Sequence, residues 1–318
     1  MTIEDDVAIL ATSLGREVGT PGHESARIHI IDRLTELGLQ PYIGRSFEAN
    51  YAHDEQNFCN LLAIAPGNDR DLNPVLIGAH YDTCGDIPGA DDNAAAVAAL
   101  ISTAENLIEQ DLERSVIFAF FDAEEPPHFL SPSMGSVRFY EDQKTEDIYC
   151  AVIMDLVGHD VPVPGLEDVL FIMGMESNQG LEQVIQHVDP GPNLRILPTL
   201  NRYVGDMSDH HIFRTNQVPY LFLSCGRWEH YHQDTDTPEK LNYGKIEAVS
   251  DLLTDLTINI SRTDMEDEFE GYDSSSTEIR FIQENLMPVI SAMGLTFNLE
   301  TRADIDRLAS MMLTYLPI

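Results

Sequence analysis

The chain has 318 residues, with 54 acidic and 18 basic side chains and a formal net charge of −36. Nucleic acid and anionic membranes are disfavoured as partners, because phosphate contacts need a basic surface. An apolar content of 43% is ordinary for a globular protein with a real core. Self-repulsion of this size destabilises a compact state at low ionic strength, so the charge predicts adaptation to high salt.

The N-terminus and the cysteines both bear on where in the cell the protein is located. The first residues are acidic, and no apolar run reaches transmembrane length, so we expect neither a secretory signal nor a membrane span. For a chain that is complete as given, this predicts a cytoplasmic protein. Four cysteines without paired spacing predict reduced thiols rather than disulfides.

The predicted elements alternate between helices and buried strands. Apolar residues recur at helical spacing over residues 3–17 and 24–37. Further along the chain, apolar runs predict strands at 58–65, 75–79, 115–121, 148–154, 167–173 and 218–223, with helices after residue 93 and over 243–261. This alternation predicts an α/β fold with a mostly parallel, mixed central sheet that helices cover on both faces.

The composition changes near residue 263. Residues 263–277 are acidic and serine-rich, which predicts a linker between a main domain at 1–262 and a helical extension at 278–318. Two short helices cannot bury their apolar faces alone. We therefore expect the extension to pack on the main domain or on a second copy of the chain, so a homo-oligomer is one prediction.

Acidic and imidazole side chains follow three of the predicted strands. His80 and Asp82 follow the strand at 75–79, Glu124 and Glu125 follow the strand at 115–121, and Asp155 follows the strand at 148–154. In open α/β sheets, ligands bind beyond the carboxyl ends of the strands. A desolvated pair of adjacent carboxylates needs a cation, and a metal ion is the usual one.

Two more residues, Asp91 and His232, complete the candidate set. Two imidazoles with several carboxylates suit zinc or a similar divalent ion. More than four such ligands from strand ends predict two ions that share a bridging carboxylate and activate a water. One carboxylate must stay off the metals to take the proton of that water, and the second acid of the Glu-Glu pair could do so.

An ordered set of motifs resembles peptidase family M28, the cocatalytic zinc aminopeptidases. The resemblance covers about residues 10–260, and its motifs are VLIGAHYD at 75–82, PGADDNAAAVAAL at 88–100, FFDAEE at 120–125, IMDLVG at 153–158, SDHHIF at 208–213 and YHQDTD at 231–236. It implies a zinc-exopeptidase-like fold for residues 1–262, with the extension at 278–318 outside the family pattern.

The resemblance also implies a metal-binding role for five residues. Asp91 would bridge two zinc ions, although Co²⁺ or Mn²⁺ could take their place. His80 and Asp155 would complete one site, and Glu125 and His232 would complete the other.

Three further residues receive catalytic roles from the resemblance. Glu124 would be the general base, Asp82 would orient His80, and Tyr231 would hydrogen-bond the tetrahedral intermediate. His230 competes with His232 for the second imidazole position, and the motif favours His232. His210 and His211 lie in a segment that is structural in the family and are not expected on the metal, and His23, His128 and His159 are expected at the surface.

The predicted function is therefore a metal-dependent aminopeptidase that acts on peptides with a free N-terminus. A glutaminyl cyclase-like acyltransferase with one zinc ion is the alternative enzyme on the same scaffold. A non-catalytic scaffold domain is the alternative from another class. A Gly-x-Ser-x-Gly elbow and a Gly-x-Gly-x-x-Gly fingerprint are absent from the sequence, which argues against serine nucleophiles and dinucleotides.

Overall fold

The computed structural model describes residues 1–265, 268–292, 294 and 296–315. Within them, nine strands form one mixed sheet in the order β1-β3-β5-β4-β6-β9-β7-β8, and β2 also pairs with β3. The strands are β1 (Gln40–Pro41), β2 (Glu48–His53), β3 (Gln56–Ala65), β4 (Val75–His80), β5 (Val116–Phe121), β6 (Cys150–Met154), β7 (Val169–Met173), β8 (Arg195–Thr199) and β9 (Tyr220–Ser224).

The centre of the sheet is parallel and its flanks are antiparallel. Strand β4 runs parallel to both β5 and β6, and β6 runs parallel to β9. Strands β3 and β7 pair antiparallel with β5 and β9 respectively. The carboxyl ends of β4, β5 and β6 therefore lie at one edge of the sheet. The polar residues that follow these strands in the sequence motifs lie at the same edge.

Helices cover both faces of this sheet, as the sequence predicts. Alternate residues of β5 join two separate apolar clusters, with Phe118 in one and Ile117 in the other. The helices are α1 (Ile3–Leu10), α2 (Pro21–Glu36), α3 (Ala95–Leu107), α4 (Gly135–Arg138), α5 (Gln179–His187), α6 (Asn201–Val204), α7 (His210–Thr215), α8 (Tyr243–Arg262), α9 (Ser275–Asn285), α10 (Met287–Ala292) and α11 (Arg302–Tyr315). No helix in the described ranges combines the length and the apolar character that crossing a membrane requires.

The C-terminal helices pack on the rest of the same chain. Ile282 of α9, Ile290 of α10 and Leu308 of α11 are buried in the core cluster that also contains residues of α3 and α8. The segment predicted as a linker is also attached, because the Tyr272 hydroxyl donates to the Met175 carbonyl oxygen at 2.6 Å. Helix α9 begins at Ser275, inside that segment.

Candidate metal centre and active site

Polar residues from the ends of β4, β5 and β6 converge at one edge of the sheet. His80 is the last residue of β4, Glu124 and Glu125 follow β5 closely, and Asp155 comes directly after β6. Their exposed fractions are 0% for His80, 4% for each glutamate and 7% for Asp155. Because the three strands are parallel neighbours, side chains that are far apart in sequence become neighbours in a buried site.

Asp92 lies between the two imidazoles of this cluster. His80 Nε2 is 3.3 Å from Asp92 Oδ1, and His232 Nε2 is 3.2 Å from Asp92 Oδ2. On the His80 side, the same nitrogen is 3.6 Å from Asp155 Oδ1. On the His232 side, Nε2 is 3.0 Å from Glu125 Oε2. The cluster thus has two halves that share one carboxylate.

The prediction that Asp91 provides this shared carboxylate is wrong, because the side chain of Asp91 points away from the cluster. Its carboxylate accepts the Gly158 N–H at 2.7 Å and lies 2.6 Å from His159 Nδ1. The backbone at Asp92 is not helical, with φ −110° and ψ 83°, so consecutive side chains face different directions. His159 is fully buried and stacks on Trp228, so its expected surface location is also wrong.

The loop that carries Asp92 is held from two sides. Asp236 accepts the N–H groups of Asp91 and Asp92 at 2.9 and 3.1 Å. The guanidinium of Arg16 is fully buried and donates to the carbonyl oxygens of Pro88 and Gly89 at 2.7 and 2.9 Å. These contacts satisfy backbone groups that irregular buried backbone would otherwise leave unpaired.

The same Arg16 side chain ties this loop to its neighbours. Nε donates to the Tyr81 carbonyl oxygen at 2.8 Å and Nη1 to that of Leu10 at 3.1 Å. Burial lowers the pKa of Arg16 to about 10, so the group stays charged at neutral pH. The sequence alone assigns no role to Arg16 or Asp236, because a buried arginine at position 16 has no local pattern that separates it from a surface one.

Asp82 lies beside His80 as predicted, but its hydrogen bonds go elsewhere. Asp82 Oδ1 is 3.4 Å from His80 Nδ1, which is longer than an ordinary hydrogen bond. Its two oxygens accept the N–H groups of Glu124 and Glu125, each at 3.0 Å. The residue before this pair, Ala123, has a φ of 56°, so the turn out of β5 is strained. Asp82 therefore fixes the backbone of the Glu-Glu pair.

The electrostatics of the cluster show an excess of buried carboxylates. Burial raises the pKa of Glu124 well above its usual range and that of Glu125 to about 8. For His80, burial acts to lower the pKa, but the carboxylates of Glu124 and Asp155 outweigh it and hold the pKa well above normal. His232 behaves alike, since its contacts with Asp92 and Glu125 overcome burial and raise its pKa to about 10. The cluster is therefore rich in buried negative charge, which a divalent cation would neutralise.

The residues present fit a metal. In the described part of the chain, both ring nitrogens of His80 and Nε2 of His232 are buried without a hydrogen-bond partner, as are Oδ2 of Asp92 and Oδ1 of Asp155. Buried polar atoms are rarely left unpaired in this way. Imidazole nitrogens and carboxylate oxygens are the donor atoms that zinc prefers.

Two further residues border the cluster. The ring of Tyr231 stacks on His232 at 3.8 Å between centroids, and the Arg227 guanidinium lies 4.7 Å from the Tyr231 ring centroid. Cys84 also borders the cluster, because its sulfur lies within 4.8 Å of ligand atoms of Glu125 and His232. Its position four residues after His80 is the sequence signal for that location.

The remaining histidines near the motifs do not join the cluster. His210 stacks on Phe222 and its Nε2 is 3.1 Å from Asn201 Oδ1. His230 Nδ1 is 2.8 Å from the Thr235 hydroxyl oxygen. The structure thus brings together His80, Asp82, Glu124, Glu125, Asp155 and His232, and it puts Asp92 where Asp91 was expected.

The family model of peptidase family M28 matches residues 60–257, which is more than half of the chain. The chain therefore belongs to peptidase family M28, which confirms the family that the motifs predict. It is 26% identical over 215 residues to the uncharacterized protein YfbL of Escherichia coli, a match that covers 58% of this chain and 66% of that protein.

A second relative is the putative endoplasmic reticulum metallopeptidase 1-A of Caenorhabditis elegans. Identity is 25% over 199 residues, which cover 60% of this chain and 21% of that protein. The chain thus spans just under two thirds of the first relative and about a fifth of the second.

Solved structures with a similar fold include peptidases and cyclases. The Legionella pneumophila LapA aminopeptidase has a TM-score of 0.65 at 18% identity, with 83% of this chain and 72% of that chain covered. A zinc-dependent exopeptidase from Parabacteroides distasonis has a TM-score of 0.65 at 15% identity, with 81% and 97% covered. Porphyromonas gingivalis glutaminyl cyclase has a TM-score of 0.63 at 18% identity, with 80% and 96% covered. These likenesses confirm the predicted α/β fold.

Proposed function

We propose that the chain is a zinc-dependent aminopeptidase that removes the N-terminal residue from peptides with a free N-terminus. The observation that carries this proposal is the carboxylate of Asp92 between two imidazoles, with ligand atoms on both sides that lack hydrogen-bond partners. His80 and Asp155 would hold one zinc ion, Glu125 and His232 would hold a second, and Asp92 would be shared. The zinc-dependent exopeptidase among the similar structures supports the choice of metal.

Glu124 is the residue we assign to proton transfer. Bound divalent ions would lower the pKa of a water and polarise the scissile carbonyl. Glu124 would take one proton from the attacking water as the new carbon–oxygen bond forms. It would then give that proton to the leaving nitrogen as the peptide bond breaks.

The carboxylates of the cluster suit the free amino group of the substrate, because a protonated amine would be attracted to them. Tyr231 stays a predicted hydrogen-bond donor to the reacting carbonyl oxygen, and its ring contact with His232 supports that assignment. Peptide partners, a cytoplasmic location and a homo-oligomer remain predictions of the sequence.

A glutaminyl cyclase-like acyl transfer is the second candidate. The similar fold of Porphyromonas gingivalis glutaminyl cyclase favours it. The second half of the cluster, Glu125 with His232, argues for two ions rather than one and hence for hydrolysis.

Hydrolysis of paired peptides tests the proposal. The protein is incubated with zinc and with free and N-acetylated forms of the same short peptides, at low and at multimolar salt, and products are identified by mass spectrometry. We expect release of the N-terminal residue from the free peptides only, abolished by a chelator and restored by zinc. Cyclisation of an N-terminal glutamine without peptide cleavage would instead establish the cyclase.

A further inference from the structure

An apolar cavity lies directly beside the cluster, and Asp155 borders both. Its inner wall includes Tyr231, Phe171 and Met173 of β7, and Phe222 of β9. The cavity has a volume of about 110 Å³. That is several times the roughly 10–15 Å³ that a single water needs on this scale, so the space can take a side chain.

The outer wall of the cavity is built by the C-terminal helices. Ile282 and Leu286 of α9 line it, together with Ile305, Leu308 and Ala309 of α11. These helices lie beyond residue 257, where the match to the M28 family model ends. The outer wall is therefore supplied by a part of this chain that the family match does not include.

Polar contacts fix this wall to the sheet. The Arg195 guanidinium donates to the Asn285 carbonyl oxygen at 3.1 Å, and the Asn285 side-chain amide donates to the Ile196 carbonyl oxygen at 3.2 Å. At the start of α11, Arg302 donates to both carboxylate oxygens of the buried Glu278 of α9 at 2.6 and 2.7 Å. The two helices are thus joined to each other and to β8, which gives the cavity a defined shape.

We propose that this cavity receives the side chain of the substrate's N-terminal residue, and that α9 and α11 make the enzyme select large apolar residues such as leucine, methionine or phenylalanine. The inference rests on the proposed aminopeptidase function, which puts the scissile carbonyl at the cluster. The N-terminal side chain is borne by the carbon next to that carbonyl. The cavity that shares Asp155 with the cluster is the adjoining space.

The chemistry of the walls selects among side chains. An apolar side chain that moves from water into this cavity gains hydrophobic free energy, whereas a charged side chain loses its hydration. The charged groups on the walls are Asp155 and Arg227. Asp155 faces His80 in the cluster, and Arg227 is stacked over Tyr231. The competing occupant of the cavity is therefore an acidic N-terminal residue of the substrate, whose carboxylate would pair with Arg227.

A pair of matched substitutions on α11 tests the proposal. Ala309→Phe introduces a ring at the outer wall, and Ala303→Phe introduces the same ring at an exposed position of the same helix. We measure kcat/KM for leucyl, phenylalanyl, alanyl and glutamyl peptides that are otherwise identical. The ratio of leucyl to alanyl kcat/KM should be well above one in the unchanged protein. It should fall at least about tenfold in Ala309→Phe and stay the same in Ala303→Phe.

Binding of free amino acids to the zinc-loaded protein provides a readout that does not need turnover. By calorimetry, L-leucine should bind more tightly than glycine, and Ala309→Phe should remove the difference. If the protein cleaves no peptide yet shows this binding pattern, the aminopeptidase function fails, whereas the selection of large apolar side chains by the cavity and α11 stands. Peptide cleavage with equal rates for leucyl and alanyl substrates, a preference for glutamyl peptides, or an equal effect of both substitutions would overturn the cavity assignment alone.

Discussion

The cluster at the strand ends and the apolar cavity beside it share Asp155 but differ in chemistry and in origin. The cluster consists of imidazoles and carboxylates delivered by parallel strands within the region that matches the M28 family. The cavity is apolar, and its outer wall comes from helices beyond that region. We propose that the bond-breaking chemistry belongs to the family region, while the choice of substrate depends on the extension.

Replacement of Glu124 by glutamine should impair catalysis at the cluster and leave the substrate preference of the cavity unchanged. We expect kcat to fall by roughly 10²–10⁴-fold for leucyl and alanyl peptides alike, because general acid–base catalysis contributes on that scale. The zinc content and the leucyl-to-alanyl ratio of any residual activity should stay as they were. Steady-state kinetics and elemental analysis measure both. An activity close to that of the unchanged protein would contradict the assignment of Glu124.

Replacement of Arg16 by methionine should destabilise the support of the cluster. The buried guanidinium donates to carbonyl oxygens of Leu10, Tyr81, Pro88 and Gly89, and its loss leaves these buried acceptors unpaired. We expect the free energy of unfolding to fall by about 3 kcal/mol or more, as when one partner of a buried charged network is removed. Denaturant titration followed by circular dichroism measures the change.

Arg262→Met is the matched control, because Arg262 is exposed and makes one hydrogen bond to the described residues, to the Asp111 carbonyl oxygen at 2.9 Å. Its effect on unfolding should be within about 0.5 kcal/mol, as is usual for surface substitutions. Equal effects of the two substitutions would show that Arg16 has no special part in holding the loop of Asp92.

Salt should act on the surface of the molecule more than on the buried cluster. With 54 acidic and 18 basic side chains, repulsion between exposed carboxylates is strong at low ionic strength and is screened at high ionic strength. We expect the melting temperature to rise by about 5 °C or more between dilute buffer and multimolar KCl, roughly 3 kcal/mol for a chain of this size. Full stability and full activity in dilute buffer would contradict the predicted adaptation to salt.

Glu176 offers a smaller contrast with the cluster, because it is a buried carboxylate that lies outside it. Burial raises its pKa to about 7, and Oε1 accepts the Asn201 N–H at 2.7 Å. A carboxyl group whose pKa is raised in the folded protein stabilises the fold below its unfolded pKa of about 4.5, and the contribution is lost as the pH rises through 7. Glu176→Gln should therefore stabilise the protein by up to about 3 kcal/mol at pH 8 and change little at pH 4. Equal effects of Glu176→Gln on stability at pH 4 and pH 8 would contradict the raised pKa of Glu176 as their cause.

Much of the fold and most of the cluster are predictable from local signals. The runs that form β4, β5 and β6 are apolar without interruption, and the polar residues that follow them mark the edge of the sheet where they meet. The choice between Asp91 and Asp92 is not predictable in this way. It depends on backbone angles in an irregular turn, where neighbouring side chains face opposite directions.

The cavity wall shows a second limit of sequence reasoning. The apolar spacing of Ile282 and Leu286 predicts a buried helix face, but it does not say which surface that face covers. The partner surface is set by contacts between distant residues, such as Arg195 with Asn285, that leave no local pattern. Arg16 was missed for the same reason, because each of its acceptors is a backbone carbonyl oxygen.

The most direct test of the central claim is the zinc content of two neighbouring substitutions, Asp92→Asn and Asp91→Asn. Both remove one negative charge, but Asp92 faces the two imidazoles whereas Asp91 faces Gly158 and His159. We predict about two zinc ions per folded chain for the unchanged protein, retention of both in Asp91→Asn, and loss of at least one in Asp92→Asn. Metal analysis of the folded fraction, checked by circular dichroism, measures this. Loss of zinc in Asp91→Asn with full retention in Asp92→Asn would contradict the account.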